Sequence, residues 1–438
     1  MTVIWQPVLD EDARRWKAVA ERVTQEHFAP LAEELDREQR YPWENVRRLV
    51  EHDLAGLFIP KEYGGQGASL SATAAVVEAI GTGCASTAAI LCTYQLGAFP
   101  VLLAGRDDQK RRYLGEMAKG VATSFALSER STGSDAAAIE ATATREGDGW
   151  RLRGEKYWIG NGGASRYYVV FAKTDPGAAL MSAASGQRGN SLEVRGHSAS
   201  EDARERADDT RPEPGSSARA GGRGISAFMV DKEEPGAVVD ELADKMGIRG
   251  TQTSNLKLDV VVPDSARVGE PNRALRLALA TLDVGRVMVA AQSLGLALAA
   301  YREASRRAVE RRAFGQPIIE NQGIGFKLAD MAVEISAARM MLYEAAKAYD
   351  EGRDVANLGA MAKLFASEVA HRAADGAVQV WGGLGYCKPT VAERLYRDQR
   401  ILEIYEGTSE IQRLVLARAG RKEAEAAAAS ASPARRSG

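Results

Sequence analysis

In RDQRILEIYEGTSEIQRLVLAR (397–418) a single carboxylate, Glu406, stands between Tyr405 and Gly407, just ahead of Thr408 and Ser409. A glycine there predicts a helix break where backbone can approach a ligand closely. Thr408 or Ser409 can cap the next helix and leave amide donors facing that ligand. Two readings fit this spacing: a carboxylate base, and a solvated residue beside a capping box. Periodicity does not choose between them. A second segment, FALSERSTGSDAAAIEATAT (125–144), runs from an apolar stretch into Ser128, Ser131, Thr132, Gly133, Ser134 and Asp135. Hydroxyls and amides in such a loop suit the polar rim of a heteroaromatic ring or a phosphate, and they equally suit an ordinary turn. Trp158, in EKYWIGNGG, can stack on a flat ligand or serve as a sheet aromatic.

Two further motifs carry donors for a pyrophosphate: ERRAFGQPI, with Arg311, Arg312, Phe314 and Gly315, and AVQVWGGLGY, with Gln379, Gly382, Gly383 and Gly385. Guanidinium forks and open glycine amides match phosphate oxygens, while a basic helix end and a glycine C-cap explain the same residues without a ligand. These glycines follow a helical pattern rather than a strand, which excludes a Rossmann fingerprint. Gly64, Gly65 and Gly67 follow no strand and lack a phosphate-loop lysine, so they predict an interhelical turn.

The elements that must hold these residues follow from hydrophobic period. Helical spacing over 1–120 (Trp16, Val19, Val23; Val46, Leu49, Val50) predicts an N-terminal helical domain. Over 121–270 the period shortens to strands such as WRLRGEKYWI, RYYVVFAKT, GISAFMVDK and NLKLDVVVP, a small β domain. Within it, 176–222 is mixed-charge and rich in Ser, Ala and Gly, and predicts a mobile insertion between two strands. Long helices over 271–422 predict an antiparallel bundle with apolar faces left for a partner subunit. The tail 423–438 predicts disorder. The order helices, sheet, helices makes the fold class α+β.

Composition removes whole classes of function. At roughly 150 residues per domain, 438 residues give about three domains, a chain large enough to need no disulfide staples. Fifty-seven Lys and Arg against 59 Asp and Glu provide no basic field for nucleic acid. No apolar run is expected to reach bilayer length, and the N-terminus lacks targeting features, so a cytoplasmic location without stable membrane insertion is expected. Cys84, Cys92 and Cys387 are too scattered for a disulfide framework or a zinc knuckle. His27, His52, His197 and His371 show no metal-ligand spacing, so no metal is expected and proton transfer falls to a carboxylate.

Taken together, LSERSTGSD, KMGIRGTQTS, ERRAFGQPI, AVQVWGGLG and IYEGTSEIQR closely resemble, in order and spacing, the acyl-CoA dehydrogenase family of flavoproteins, over about nine tenths of the chain. The resemblance implies a helical domain, a central β domain and a C-terminal four-helix domain. It also implies FAD as cofactor, an acyl-CoA substrate oxidised to a trans-2-enoyl-CoA, electron-transfer flavoprotein as electron acceptor, and a homotetramer built as a dimer of dimers. By motif position, Glu406 is implied as the base that removes the α-proton while a hydride passes from Cβ to flavin N5. The amide of Glu406 is implied to bind the thioester carbonyl, with Tyr405 and Gly407 against the substrate.

Flavin contacts are implied for Phe125, Ala126, Leu127, Ser128 and Ser134, with Ser134 also near substrate. Trp158, Ile159 and Gly160 are implied on the other face, with Thr408 and Glu410 near the adenosine. The neighbouring subunit is implied to bring Arg311, Phe314, Gln322, Gln379, Gly382 and Gly383. Asp283 and Arg286 match positions near the CoA thiol arm. Relatives on the same scaffold include oxidases and monooxygenase-like proteins that use dioxygen, and a scaffold that has lost its flavin is a third alternative. Three departures stand out: Gly160 where the family usually has Thr or Ser, Arg130 where it usually has Pro, and Ser128 in place of Thr. Arg188, Arg195 and Arg219 of the insertion are candidates for the CoA phosphates.

Overall fold

The computed structural model describes residues 3–174 and 224–431. The expected insertion, with Arg188, Arg195 and Arg219, therefore lies outside the described residues. The chain opens with helices α1 (Glu11–Val23), α2 (Ala29–Glu38), α3 (Trp43–Glu51), α4 (Leu70–Gly81) and α5 (Ala85–Ala104). Two of them start where a side-chain oxygen takes an orphan amide: Asp10 accepts from the Ala13 N–H, and Ser69 from the Ala72 N–H. Gly64 and Gly67 both have positive φ in the loop before α4, which makes that glycine cluster the expected turn.

Helix α5 corrects one expectation. Its 20 residues, with mean hydropathy 1.6 over the best window, are long and apolar enough to cross a bilayer. Two thirds of that window is nevertheless buried inside the protein, because α5 lies among α4, the sheet and the C-terminal helices. A helix apolar on every side is what a core position demands.

The sheet runs β6 (Ala237–Leu242), β7 (Ser254–Pro263), β3 (Gly149–Ile159), β2 (Thr142–Glu146), β4 (Tyr167–Thr174), β5 (Ile225–Asp231) and β8 (Arg267–Val268), while β1 (Thr123–Ala126) pairs in parallel with β4. Strand β7 alternates as a one-sided sheet should: Leu256, Leu258, Val260 and Val262 face the β core while Lys257, Asp259 and Val261 face away. Its pairing with β3 holds register from Gly149 to Lys156 and then shifts before Ile159. That irregularity falls on Trp158, whose φ is +57°. Such a break in a ladder re-aims the side chains beside it, and it leaves Trp158 57% exposed. Strands β4 and β5 pair directly across the undescribed segment, the Thr174 N–H donating to the Gly224 carbonyl.

Helices α6 (Ala274–Glu310), α7 (Gln322–Asp350), α8 (Ala356–Trp381), α9 (Val391–Gln399) and α10 (Ser409–Ala431) complete the chain. Helix α6 seats against α4 through glycines on both sides. A Cβ at Gly295 would come 2.6 Å from the Glu78 carbonyl oxygen, and one at Gly81 would come 3.1 Å from the Gly295 Cα. Nearby, the buried Glu78 carboxylate accepts from Arg339 Nε at 3.1 Å and from the Tyr343 hydroxyl at 3.3 Å, joining α4 to α7. Such a buried pair is held by geometry, and losing one partner leaves a costly lone charge. Helix α10 runs on to Ala431, through Glu and Ala residues that are strong helix formers. Residues 432–438 lie outside the described residues.

Candidate active site

Glu406 sits in the turn between α9 and α10. Both it (φ +55°) and Gly407 (φ +89°) are in the left-handed region, which turns the chain sharply enough to aim the carboxylate back at α6. For a non-glycine residue this conformation is uncommon and clusters at functional sites. Helix α10 starts as expected, the Thr408 hydroxyl accepting from the Ile411 N–H at 3.3 Å. Two buried side chains fix the turn. Gln412 Nε2 donates to the Glu406 carbonyl at 3.2 Å and to the Gly407 carbonyl at 2.8 Å, and Lys363 Nζ from α8 donates to the Gly407 carbonyl at 2.7 Å.

The residue as a whole is half-buried, yet its Oε2 is closed from solvent and has no hydrogen-bond partner. Burial therefore pushes the Glu406 carboxyl up to about 7, against the pull of Lys363 and Arg286. Its space is provided by Gly285 on α6, where a Cβ would lie 2.7 Å from Glu406 Oε2 and 3.2 Å from Leu96 Cδ1. Any larger residue at 285 would meet the carboxylate. Cys92 on α5, whose thiol burial and the charge of Glu406 push up, hydrogen-bonds the Met288 carbonyl. The Tyr405 hydroxyl donates to Oε1 of the buried Gln292, and its acidity is suppressed by burial.

Helix α5 also connects Glu406 to the sheet. A Cβ at Gly160 would lie 3.3 Å from Thr93 Oγ1, one turn from Leu96, so the end of β3 and the base share one helix as a wall. Asn161 Nδ2 donates to the Ile90 carbonyl of α5, and Ser124 Oγ to the Gly160 carbonyl at 2.7 Å. The loop after β1 is anchored by an ion pair absent from the sequence reading. Lys156 Nζ, fully buried, donates to Glu129 Oε1 at 2.7 Å and to the Leu127 carbonyl at 3.1 Å. Glu129 also accepts from the Ala141 N–H at 2.9 Å, and the Tyr157 N–H donates to the Ser128 carbonyl. Desolvation lowers Lys156 to about 8 even beside that carboxylate.

The residues singled out in the sequence divide into two groups. Tyr405, Glu406, Gly407 and Thr408 share the turn, and Arg286 reaches it electrostatically while donating to Asp283 at 2.6 Å. Burial raises Asp283 to about 6. Phe125 and Ser128 are half-buried, Ser134 is exposed, and Trp158 is 57% exposed beside half-buried Gly160. The side chains of Ala126 and Ile159 lie in the β core and that of Leu127 in the main core, so only their backbone can face a ligand. Glu410 is exposed, and its own backbone amide and the Thr408 hydroxyl hold it below the ordinary carboxylate range. The second group is remote. Arg311, Gln322, Gln379, Gly382 and Gly383 are exposed and Phe314 is 98% exposed, at the far end of the bundle. From Gly285 to Arg311 the chain rises about 39 Å along α6, 26 residues at 1.5 Å each.

Sequence comparison places three domain profiles on this chain: the acyl-CoA dehydrogenase N-terminal domain on residues 10–121, the middle domain on 124–196 and the C-terminal domain on 272–420. An acyl-CoA dehydrogenase of Bacillus subtilis is 36% identical over 394 residues, covering 89% of this chain and 93% of that protein. The mitochondrial short-chain specific acyl-CoA dehydrogenase of Rattus norvegicus is 37% identical over 419 residues, covering 95% and 92%. Among solved structures, butyryl-CoA dehydrogenase from Megasphaera elsdenii superposes with a TM-score of 0.83 at 32% identity, covering 95% of this chain and all of that one. A chain from the structural work on the electron transferring flavoprotein of Acidaminococcus fermentans gives 0.83 at 34% identity, covering 95% and 99%. A fold of helices, sheet and helices, a glutamate held on a strained turn, and three matching domain profiles have one consequence: this chain belongs to the acyl-CoA dehydrogenase family of oxidoreductases.

Proposed function

We propose that this chain removes hydrogen from the α and β carbons of an acyl-CoA thioester to give the trans-2-enoyl-CoA, with Glu406 as the base that takes the α-proton. The observation that carries this reading is the unpartnered Oε2 of Glu406, closed from solvent against Gly285, where no side chain stands in its way. A structural glutamate in such a place would have a partner. A carboxyl raised to about 7 is matched to proton abstraction near neutral pH. Gln412 and Lys363 occupy the carbonyls of the turn, which orients its backbone so that the Glu406 amide can polarise a thioester carbonyl. Cys92, Leu96 and Tyr405 line the wall beside the base and keep water from it.

The residues present fit FAD. The Trp158 indole, open at the register break, offers a face to a flat ring, and Gly160 lets the end of β3 come close to Thr93. Phe125, Ser128, Ser134 and the backbone of Ala126, Leu127 and Ile159 would hold the flavin, with Thr408 and Glu410 toward the adenosine. FAD bound there supplies the hydride acceptor. Arg311, Phe314, Gln322, Gln379, Gly382 and Gly383 are too far along α6 to serve the same flavin, so they would hold the cofactor of a neighbouring subunit. Open space around Gly382 and Gly383 suits a pyrophosphate, and a 98%-exposed Phe314 suits burial by a second copy. This arrangement supports assembly with a second copy of the chain, within the homotetramer, a dimer of dimers, that we propose. The relative from the electron transferring flavoprotein work supports such a flavoprotein as the electron acceptor.

The similarity to short-chain and butyryl-CoA enzymes makes short straight-chain esters the first substrates to test. Purified protein loaded with FAD and mixed anaerobically with esters from butyryl-CoA to palmitoyl-CoA should lose its yellow colour with at least one of them. Flavin that stays oxidised with every ester would refute the assignment.

A further inference from the structure

We propose that Lys363 is a positioning residue for the base: its ammonium group, sealed inside the protein against the Glu406–Gly407 turn, fixes that turn and favours the carboxylate form of Glu406. This rests on the reading of Glu406 as the base. Lys363 is on α8, 44 residues from Gly407, with no exposed surface, and its Nζ lies 2.7 Å from the Gly407 carbonyl oxygen. Enclosing an ammonium is costly, so packing alone would favour an apolar residue. Hydrogen bonding to the turn does not account for it either, because Gln412 Nε2 already donates to both the Glu406 and Gly407 carbonyls. What lysine adds is positive charge.

The surrounding charges give that cation a particular role. Glu406, Glu403 and Glu410 favour its protonated form and Arg286 disfavours it. Seen from Glu406, the cations that favour the carboxylate are Lys363 from α8 and Arg286 from α6. Arg286 is bound to Asp283 at 2.6 Å. Cys92 from α5 and the adjoining Tyr405 are neutral, both pushed up by burial. Lys363 is therefore the cation whose charge is not already matched by a hydrogen-bonded carboxylate, and it balances the base. Desolvation lowers it to about 8, so this support fades in mildly alkaline solution.

The test follows the Glu406 carboxyl itself, in FAD-loaded protein without substrate. Its infrared C=O band, identified by its disappearance in Glu406→Gln, should titrate with a midpoint at about 7 in the wild type. In Lys363→Gln, which keeps a donor and removes the charge, the midpoint should rise by on the order of one pH unit. Lys363→Arg should restore it. An unmoved midpoint in folded Lys363→Gln would overturn the proposal, whatever happens to stability. Should that variant not fold, the wild-type titration decides: coupling to Lys363 requires a carboxyl titration broader than a single-proton curve, and an ideal one-proton curve overturns the proposal. Because no turnover is needed, the outcome is independent of whether Glu406→Gln still dehydrogenates, which is the separate test of the base.

Discussion

Replacing Glu406 by Gln should make the protein more stable in alkaline solution and leave it almost unchanged in acid. A carboxyl raised from 4.5 to about 7 binds more protons in the folded than in the unfolded chain between those values. Stability conferred by the wild-type residue therefore falls as pH rises from about 4.5 through about 7, and stays lost above. The full shift of about 2.5 units, at about 1.36 kcal/mol each, corresponds to about 3 kcal/mol. Glutamine never ionises and avoids that penalty. It also removes an anion that favours the Lys363 ammonium, which offsets part of the gain, so about 1–3 kcal/mol is expected at pH 8.5. Thermal melts of FAD-loaded wild type and variant between pH 5.5 and 9 provide the assay. The difference in Tm should grow in favour of Glu406→Gln as pH rises to about 7 and level off above it. A difference independent of pH would show that the carboxylate is solvated, and the reasoning from its closed, unpartnered oxygen would fail.

Two further outcomes follow from the packing around the site. Gly285→Ala places a methyl 2.7 Å from Glu406 Oε2 and must displace it; since about 1 Å of misplacement can cost about 10²-fold, flavin reduction should slow by that order while FAD content is retained, and an unaltered rate would refute the described geometry. Glu129→Leu strands the buried Lys156 ammonium and should destabilise by about 3–5 kcal/mol with loss of FAD affinity, whereas Glu129→Leu combined with Lys156→Met should recover much of the stability; equal melting of the single and double variants would count against an ion pair.

The sequence exposed what is local. Glu406 beside Gly407, with Thr408 capping the next helix, was legible because a break, a cap and a carboxylate are neighbours in the chain. Strand β7 was legible from its alternation. Lys363, Gln292, Cys92 and Gly285 were not, because each reaches the site from a different helix and reads in isolation as an ordinary interior position. Gly285 could have been found only as a lone glycine in a long helix, a weak signal on its own. Helix α5 exceeds the expected apolar length because Thr93, Tyr94 and Gln95 are too few to bring its mean hydropathy below 1.6.

The central claim is tested most directly by anaerobic stopped-flow reduction of FAD-loaded Glu406→Gln with an acyl-CoA ester that bleaches the wild type. Loss of a general base predicts retained yellow flavin with reduction slowed by about 10²–10⁴-fold. Bleaching at close to the wild-type rate would contradict the account.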